Sequence, residues 1–278
     1  MSEPTTRLIR GTAWRALGVL TAFVIWWLLA SVVAPAGTLL ARFGPGDALP
    51  ALVDFVTSGI GVSHTADTTR RLLLGLGTAI GTGIAVGVVV GLSRAAGEAT
   101  SGVFQFLRMV SPLAWTPIAV AAFGIGDPPV FFLVAVAAVW PVILSTAAGV
   151  EQVDPGWVSV AKSLNATPLE TVRHVFLPAI RSHVGTGIRL ALGTAWIVIV
   201  PAEMLGVDSG LGYAILDARD RLDYPELMAI IIWIGILGTL LDLGVRLATR
   251  PRLDRKQAQT LSRASTYAHT PFSHDIHA

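Results

Sequence analysis

The sequence predicts an all-α fold, a polytopic bundle of six membrane-spanning helices. Of its 278 residues, 53% are hydrophobic and 14% are charged. Soluble domains carry about 25% charged residues, so this composition excludes one. The apolar residues gather into stretches of about 20, the length a helix needs to cross a ~30 Å hydrocarbon core. Basic residues concentrate at alternate ends of those stretches, as orientation in a membrane requires.

Taken in order, residues 1–15 form a short, basic lead expected in the cytoplasm. The first span, residues 16–41, has no charged residue. No small-residue cleavage site follows it closely, so it is expected to stay as an anchor and not to act as a signal peptide. An outer segment, 37–69, carries turn signals and one short helix at 49–57. The second span, 72–93, contains Gly75, Gly77, Gly81, Gly83, Gly87 and Gly91. Pairs four residues apart let a neighbouring backbone approach closely, so tight packing is the expected role. The third span, 109–126, is interrupted by Pro112 and Pro117, and the fourth, 128–150, by Pro141. Each proline removes a backbone donor and bends its helix, which suits a translocation path and also ordinary bundles. The fifth span, 184–207, contains Arg189 and Glu203; the sixth, 227–247, contains Asp242 and Arg246. Residues 16–250 thus read as one membrane domain, and the polar remainder, 251–278, as a mobile cytoplasmic tail. Its His269, His274 and His277 lack a metal-ligand arrangement.

Fourteen of the twenty basic residues, among them Arg94, Arg108, Lys162, Arg173, Arg181 and Arg246, fall on one side. Arg42, Arg70, Arg71, Arg219 and Arg221 fall on the other. Both termini are therefore expected in the cytoplasm. A net charge of +2, dispersed along the chain, gives no footprint for nucleic acid. The absence of cysteine excludes disulfides, thiolate metal sites and cysteine nucleophiles.

The feature that needs a function is the polar loop 154–178, DPGWVSVAKSLNATPLETVRHVFLP. Asp154 suits an N-cap and Pro155 the first helical position, so a helix is expected to about Leu164. Asn165 follows where a left-handed C-cap residue is needed. Thr167, Pro168 and Glu170 then spell a capping box that starts a second helix, expected to reach about Phe176 and to stop at Pro178. Trp157, Val160, Ala161 and Leu164 form one apolar stripe at helical spacing. Such a stripe needs a cover, either the bundle's own end or another protein.

At these residues the chain resembles the permease subunits of ABC importers, whose cytoplasmic loop reads Glu-Ala-Ala, three residues, Gly, nine residues, Ile, one residue, Leu-Pro. Ser159, Val160 and Ala161 stand at the Glu-Ala-Ala positions, Asn165 at the glycine and Val175 at the isoleucine; Leu177 and Pro178 match outright. Ser159 lacks the usual carboxylate. Residues 68–94, 108–118 with 123–126, and 193–206 with 210–213 are similar to further segments of the family, the last two resembling its nitrate, sulfonate, taurine and bicarbonate branch. The resemblance implies a type I importer fold, a second permease copy, a cytoplasmic ATPase dimer and a periplasmic or lipid-anchored binding protein. It implies that Trp157, Ser159, Val160, Ala161, Lys162, Leu164, Asn165, Ala166, Thr167, Glu170, Val175, Leu177 and Pro178 couple to that ATPase in the inner membrane. The chain lacks a Gly-x-x-x-x-Gly-Lys-Ser/Thr loop, so no cofactor is expected in it, and ATP and magnesium would sit in the partner.

Ionisable groups in spans need partners. Arg189 and Asp242 are expected at similar depth, so either they pair or Asp242 pairs with Arg246 at i,i+4. Glu203 is expected to tie to Arg70, Arg71 or Arg219. Residues 213–226 read as a short outer helix laced by Asp217/Arg221 and Arg219/Asp223, solvated or used for docking. A secondary carrier or channel is the alternative, but no internal repeat and few mid-span charges support it. An intramembrane enzyme would need converging acids or a Ser/His pair in the spans. His64, His174 and His183, like the tail histidines, are read as lying outside them.

Overall fold

The computed structural model describes residues 42–249, with residues 20–30 and Trp14, Leu17 and Gly18 before them. The rest of the lead, residues 31–41 and the tail lie outside the described residues. Residues 20–30 are helical (α1). There follow α2 (Pro45–Thr57), α3 (Gly59–Leu92), α4 (Arg94–Met109), a 3-10 turn (Pro112–Trp115), α5 (Thr116–Phe123) and α6 (Asp127–Glu151). After these come α7 (Pro155–Ser163), α8 (Pro168–Thr171), a π turn (Val172–Phe176), α9 (Leu177–Ala179), α10 (Arg181–Gly206), α11 (Leu211–Asp220) and α12 (Tyr224–Ala248).

Helices α3, α6, α10 and α12 are each long and apolar enough to cross a membrane. The expected third span takes a different form. Residues 94–123 make a helix pair bent by 90°, so residues 109–126 are not one straight helix. Ser111 and Pro112 break the winding, and Pro112 and Pro117 each open a new helical turn, where a missing N–H is tolerated. Pro141, by contrast, stays inside α6.

The bundle is built on α3, α6 and α10. Leu72, Leu76 and Ala79 pack on Leu133, Val134, Ala138 and Val142, and these on Ala191, Leu192, Ala195 and Ile199. Small residues set the spacing. A Cβ added at Gly75, Gly83, Gly87 or Gly91 would lie 2.6–2.8 Å from atoms of α6, whereas Gly77 and Gly81 face open space. With the buried Ala79, the contact row is 75, 79, 83, 87 and 91. That is an unbroken small residue at every fourth position, and it lets the two backbones close without side chains between them.

Two further corrections concern element ends. Helix α3 starts at Gly59, not at 72, because the Ser58 hydroxyl accepts from Gly61 N–H and caps it. At about 51 Å for 34 residues it extends beyond one hydrocarbon core, and His64 lies in it. His183 likewise falls in the first turn of α10. Residues 213–226 are not one helix: α11 ends at Asp220, Leu222 turns the chain at φ 57°, and Asp223 caps α12.

Candidate functional site

Helices α7, α8 and α9 sit at one end of the bundle. Their geometry follows from local capping. The Asp154 carboxylate accepts from Gly156 N–H at 2.8 Å and starts α7. At its end Asn165 adopts φ 54°, with Ala166 N–H donating to Ala161 C=O and Asn165 N–H to Lys162 C=O, both at 3.0 Å. That is a Schellman closure with asparagine in the glycine position. Thr167 and Glu170 then form a complete capping box. Thr167 N–H and, after it, the Thr167 hydroxyl hold the Glu170 carboxyl below its ordinary value.

Pro178 does not stop the second helix. The chain opens into a π turn in which Leu177 N–H reaches Val172 C=O, and winding continues to Ala179. The wider turn removes the clash that a proline ring makes with the carbonyl four residues earlier, here His174.

This element presents an open cleft of 960 Å³ lined by Trp157, Val160, Leu164, Asn165, Glu170, His174, Val175 and Pro178, among others. Trp157, Val160 and Leu164 are 57%, 61% and 76% exposed, whereas Ala161 is 8% exposed and faces inward. The stripe therefore splits: three residues point outward and Ala161 anchors the helix. Ser159 and Lys162 line a neighbouring cleft against the α3–α4 corner, and the Ser159 hydroxyl donates to Pro155 C=O. Sequence reasoning missed Leu169, which stands exposed on α8, because a lone leucine has no periodicity. It also missed Phe176 and Ile180, which pack with Val88 of α3 and Val150 of α6. Their i,i+4 spacing was the available signal. Through them the capped element packs directly on two of the central helices.

The opposite end holds a buried charge cluster. Arg71, 2% exposed, donates to Glu203 at 2.9 Å and to Asp127 at 2.7 Å; Glu203 is fully buried. Arg71 also donates to the Ser209 carbonyl and hydroxyl. Glu203 accepts from the Thr68 hydroxyl and from Gly212 N–H, both at 2.9 Å. Leu211 N–H donates to Thr68 Oγ1, and Gly210 N–H to His64 Nδ1. Gly210, at φ 99°, is required here: a Cβ would strike the Glu203 carboxylate and Arg71. Of the three candidate partners of Glu203, Arg71 makes the bond, Arg70 pairs with Asp127, and Arg219 with Asp220. Arg221 takes Asp217 and Glu226.

Asp242 pairs with Arg246 at 2.6 Å, one turn along α12. Arg189 has no acid partner among the described residues; its contact is the Thr186 hydroxyl at 3.5 Å, and its Nε is buried without a partner. Arg108, counted above with the cytoplasmic bases, lies instead beside Trp140, Pro141 and Thr194, in the middle turns of α6 and α10. It stands in the last turn of α4, which begins at Arg94 beside the α6–α7 corner and runs into the bundle as the first half of the bent pair. No cluster of metal-binding side chains occurs among the described residues.

A bundle of long apolar helices, with a salt-bridged clasp at one end and a capped pair of short helices at the other, defines a multi-pass membrane protein. Residues 79–253 match the family model of the binding-protein-dependent transport system inner membrane component, and the chain belongs to that family. It is 39% identical over 145 residues to a nitrate import permease protein, NrtB, of Leptolyngbya laminosa, covering 52% of each chain. It is 38% identical over 181 residues to a bicarbonate transport system permease protein, CmpB, of Synechococcus elongatus, covering 64% of this chain and 65% of that one. The chain thus spans between half and two thirds of the length of these relatives. A probable ABC transporter permease protein of Brucella melitensis is 32% identical over 228 residues, 81% of this chain and 89% of that one. In fold it is similar to a solved bacterial alginate ABC transporter (TM-score 0.62, 13% identity, 91% and 100% covered). It is likewise similar to the inward-facing MetNI methionine ABC transporter (TM-score 0.56, 18% identity, 66% and 92% covered).

Proposed function

We propose that this chain is the permease subunit of an ATP-driven importer in the inner membrane, forming with a second copy the path for a small anion. The cleft end faces the cytoplasm and receives an ATPase dimer that supplies ATP and magnesium chemistry. The clasp end faces outward, toward a periplasmic or lipid-anchored binding protein. Both termini are cytoplasmic. Nitrate, bicarbonate, a sulfonate or taurine is the substrate class, supported by the relatives whose names carry nitrate and bicarbonate.

The observation that carries this reading is the uncovered stripe of Trp157, Val160 and Leu164 beside a 960 Å³ cleft. Three large apolar side chains on a rigid, doubly capped element outside the apolar bundle mark an interaction site. Phe176 and Ile180 connect that element to α3 and α6, so closure of a bound ATPase dimer would tilt the central helices as bodies. A secondary carrier has no use for the stripe.

The test is co-purification with the cognate ATPase. V160D/L164D places charges on exposed side chains, so the permease folds with its parent Tm and loses the ATPase. Retention of the ATPase by that variant overturns the assignment. Ala161 is the wrong probe, because a buried aspartate would disturb the fold.

A further inference from the structure

A cavity of 390 Å³ lies between α6, α10 and the break after α4, with Arg108, Pro112, Trp140, Ser145, Thr194 and Ile197 among its walls. Trp140 and Thr194 occupy the middle turns of their helices, so the cavity stands at mid-depth of the bundle. Arg108 belongs to the face of α4 that meets α6: Phe104, one turn earlier, packs on Trp140 with ring centroids 5.6 Å apart.

The guanidinium is not neutralised there. Its bond among the described residues goes to the neutral amide of Gln105 at 2.9 Å. The carboxylates of α3, α6, α10 and α12 lie near helix ends, and those nearest the core are already used, Glu203 by Arg71 and Asp242 by Arg246. A cation at mid-membrane without an acid is a functional site by default. The other groups at the cavity fit the same sign of charge. Ser145 and Trp140 are among its lining residues; Ser145 Oγ packs beside Gly187 of α10, and neither that hydroxyl nor the Trp140 indole N–H makes a hydrogen bond among the described residues, which leaves two donors unspent. The Thr194 hydroxyl is spent on Leu190 and Ala191 carbonyls. The remaining wall is apolar, including Ala137, Leu144 and Ile197, which strengthens any charge interaction inside it.

We propose that Arg108, with the Ser145 hydroxyl and the Trp140 indole N–H, forms a coordination station for a small oxyanion of single negative charge, midway along the path. One guanidinium matches one negative charge, its planar fork matches a planar or trigonal oxyanion, and two neutral donors hold the remaining oxygen. The station rests on the permease reading above and gives its anion a place to dwell.

Two measurements test it. The full-length chain in lipid nanodiscs is titrated with iodide, an anionic quencher, and with caesium; the Trp140 contribution is isolated as the difference from W140F. Iodide is expected to quench Trp140 several-fold more strongly than caesium does, and R108Q is expected to abolish that preference while R108K keeps it. In proteoliposomes holding the complete complex, ATP-driven uptake of nitrate or bicarbonate is expected to fall at least tenfold in R108Q and less in R108K. Equal iodide quenching in parent and R108Q overturns the station, whatever the chain transports. Anion uptake that R108Q leaves at the parental rate removes Arg108 from the path while the importer reading stands. A parent complex that concentrates a neutral solute and neither anion overturns the anion reading itself, and the station with it.

Discussion

Replacing Arg71 by methionine is the sharpest perturbation of the clasp, because the structure says which charge is left behind. R71M strips Glu203 of its counter-ion while that carboxylate stays fully buried. The Thr68 hydroxyl and Gly212 N–H remain, at 2.9 Å each, and Asp127 keeps Arg70. An uncompensated buried charge costs about 3–5 kcal/mol. At about 2–4 °C per kcal/mol for a domain of this size, Tm falls by roughly 6–20 °C. E203Q is milder. Arg71 keeps Asp127 as counter-ion, and the glutamine oxygen still accepts one of the donors. The loss is then closer to that of one or two charged hydrogen bonds, about 1.5–3 kcal/mol. The double variant R71M/E203Q removes both charges, so it is expected to be more stable than R71M alone. Thermal unfolding in nanodiscs, followed by tryptophan fluorescence, reads all three. A double variant as unstable as the sum of the singles, or an E203Q worse than R71M, refutes the pairing.

Two other outcomes follow from local geometry. A Cβ at Gly87 would lie 2.7 Å from the Ile143 carbonyl oxygen, a backbone atom, whereas Gly77 faces open space. G87A is therefore expected to cost about 1–3 kcal/mol by overpacking and G77A nothing, and equal Tm values contradict the packing row. Glu170 has its carboxyl pKa depressed by Thr167; a depressed acid stabilises above its unfolded value, about 4.3, and that contribution is lost as pH falls through the lower folded value. The protection factors of the Thr167 and Glu170 amides, each referred to the intrinsic exchange rate at the same pH, are expected to fall in the parent as pH drops below that unfolded value. E170A should show the same loss of protection at neutral pH, and unchanged protection in E170A contradicts the capping box.

Most of the architecture was legible because apolar length and capping residues are local signals. Asp154, Asn165, Thr167 and Glu170 each fulfil a requirement that a neighbouring backbone group imposes, and the structure uses all four in that way. What escaped depends on contacts distant in sequence. Thr68 and Gly212 meet Glu203 across 135 and 9 residues, and no spacing rule connects them. The start of α3 was hidden because the polar residues at 63–69 look like a loop, yet His64 and Thr68 hold the clasp and its loop and Thr65 accepts from the Trp233 indole. Arg108 was misplaced because counting basic residues assumes straight spans, and the break at Ser111–Pro112 invalidates that assumption. Pro178 was read as a stop because a proline ends an α-helix; a π turn absorbs it.

The chain has no cysteine, so V160C introduces a single thiol at the centre of the exposed stripe. Its rate of modification by a membrane-impermeant maleimide, measured with and without the ATPase in inside-out vesicles, tests the docking claim most directly. The expected result is ready modification of the free permease, strong protection in the complex, and no modification of L222C, which the opposite end keeps on the sheltered side of the vesicle, in either case. Equal modification of V160C with and without a bound ATPase would contradict the assignment of this cleft as the coupling site.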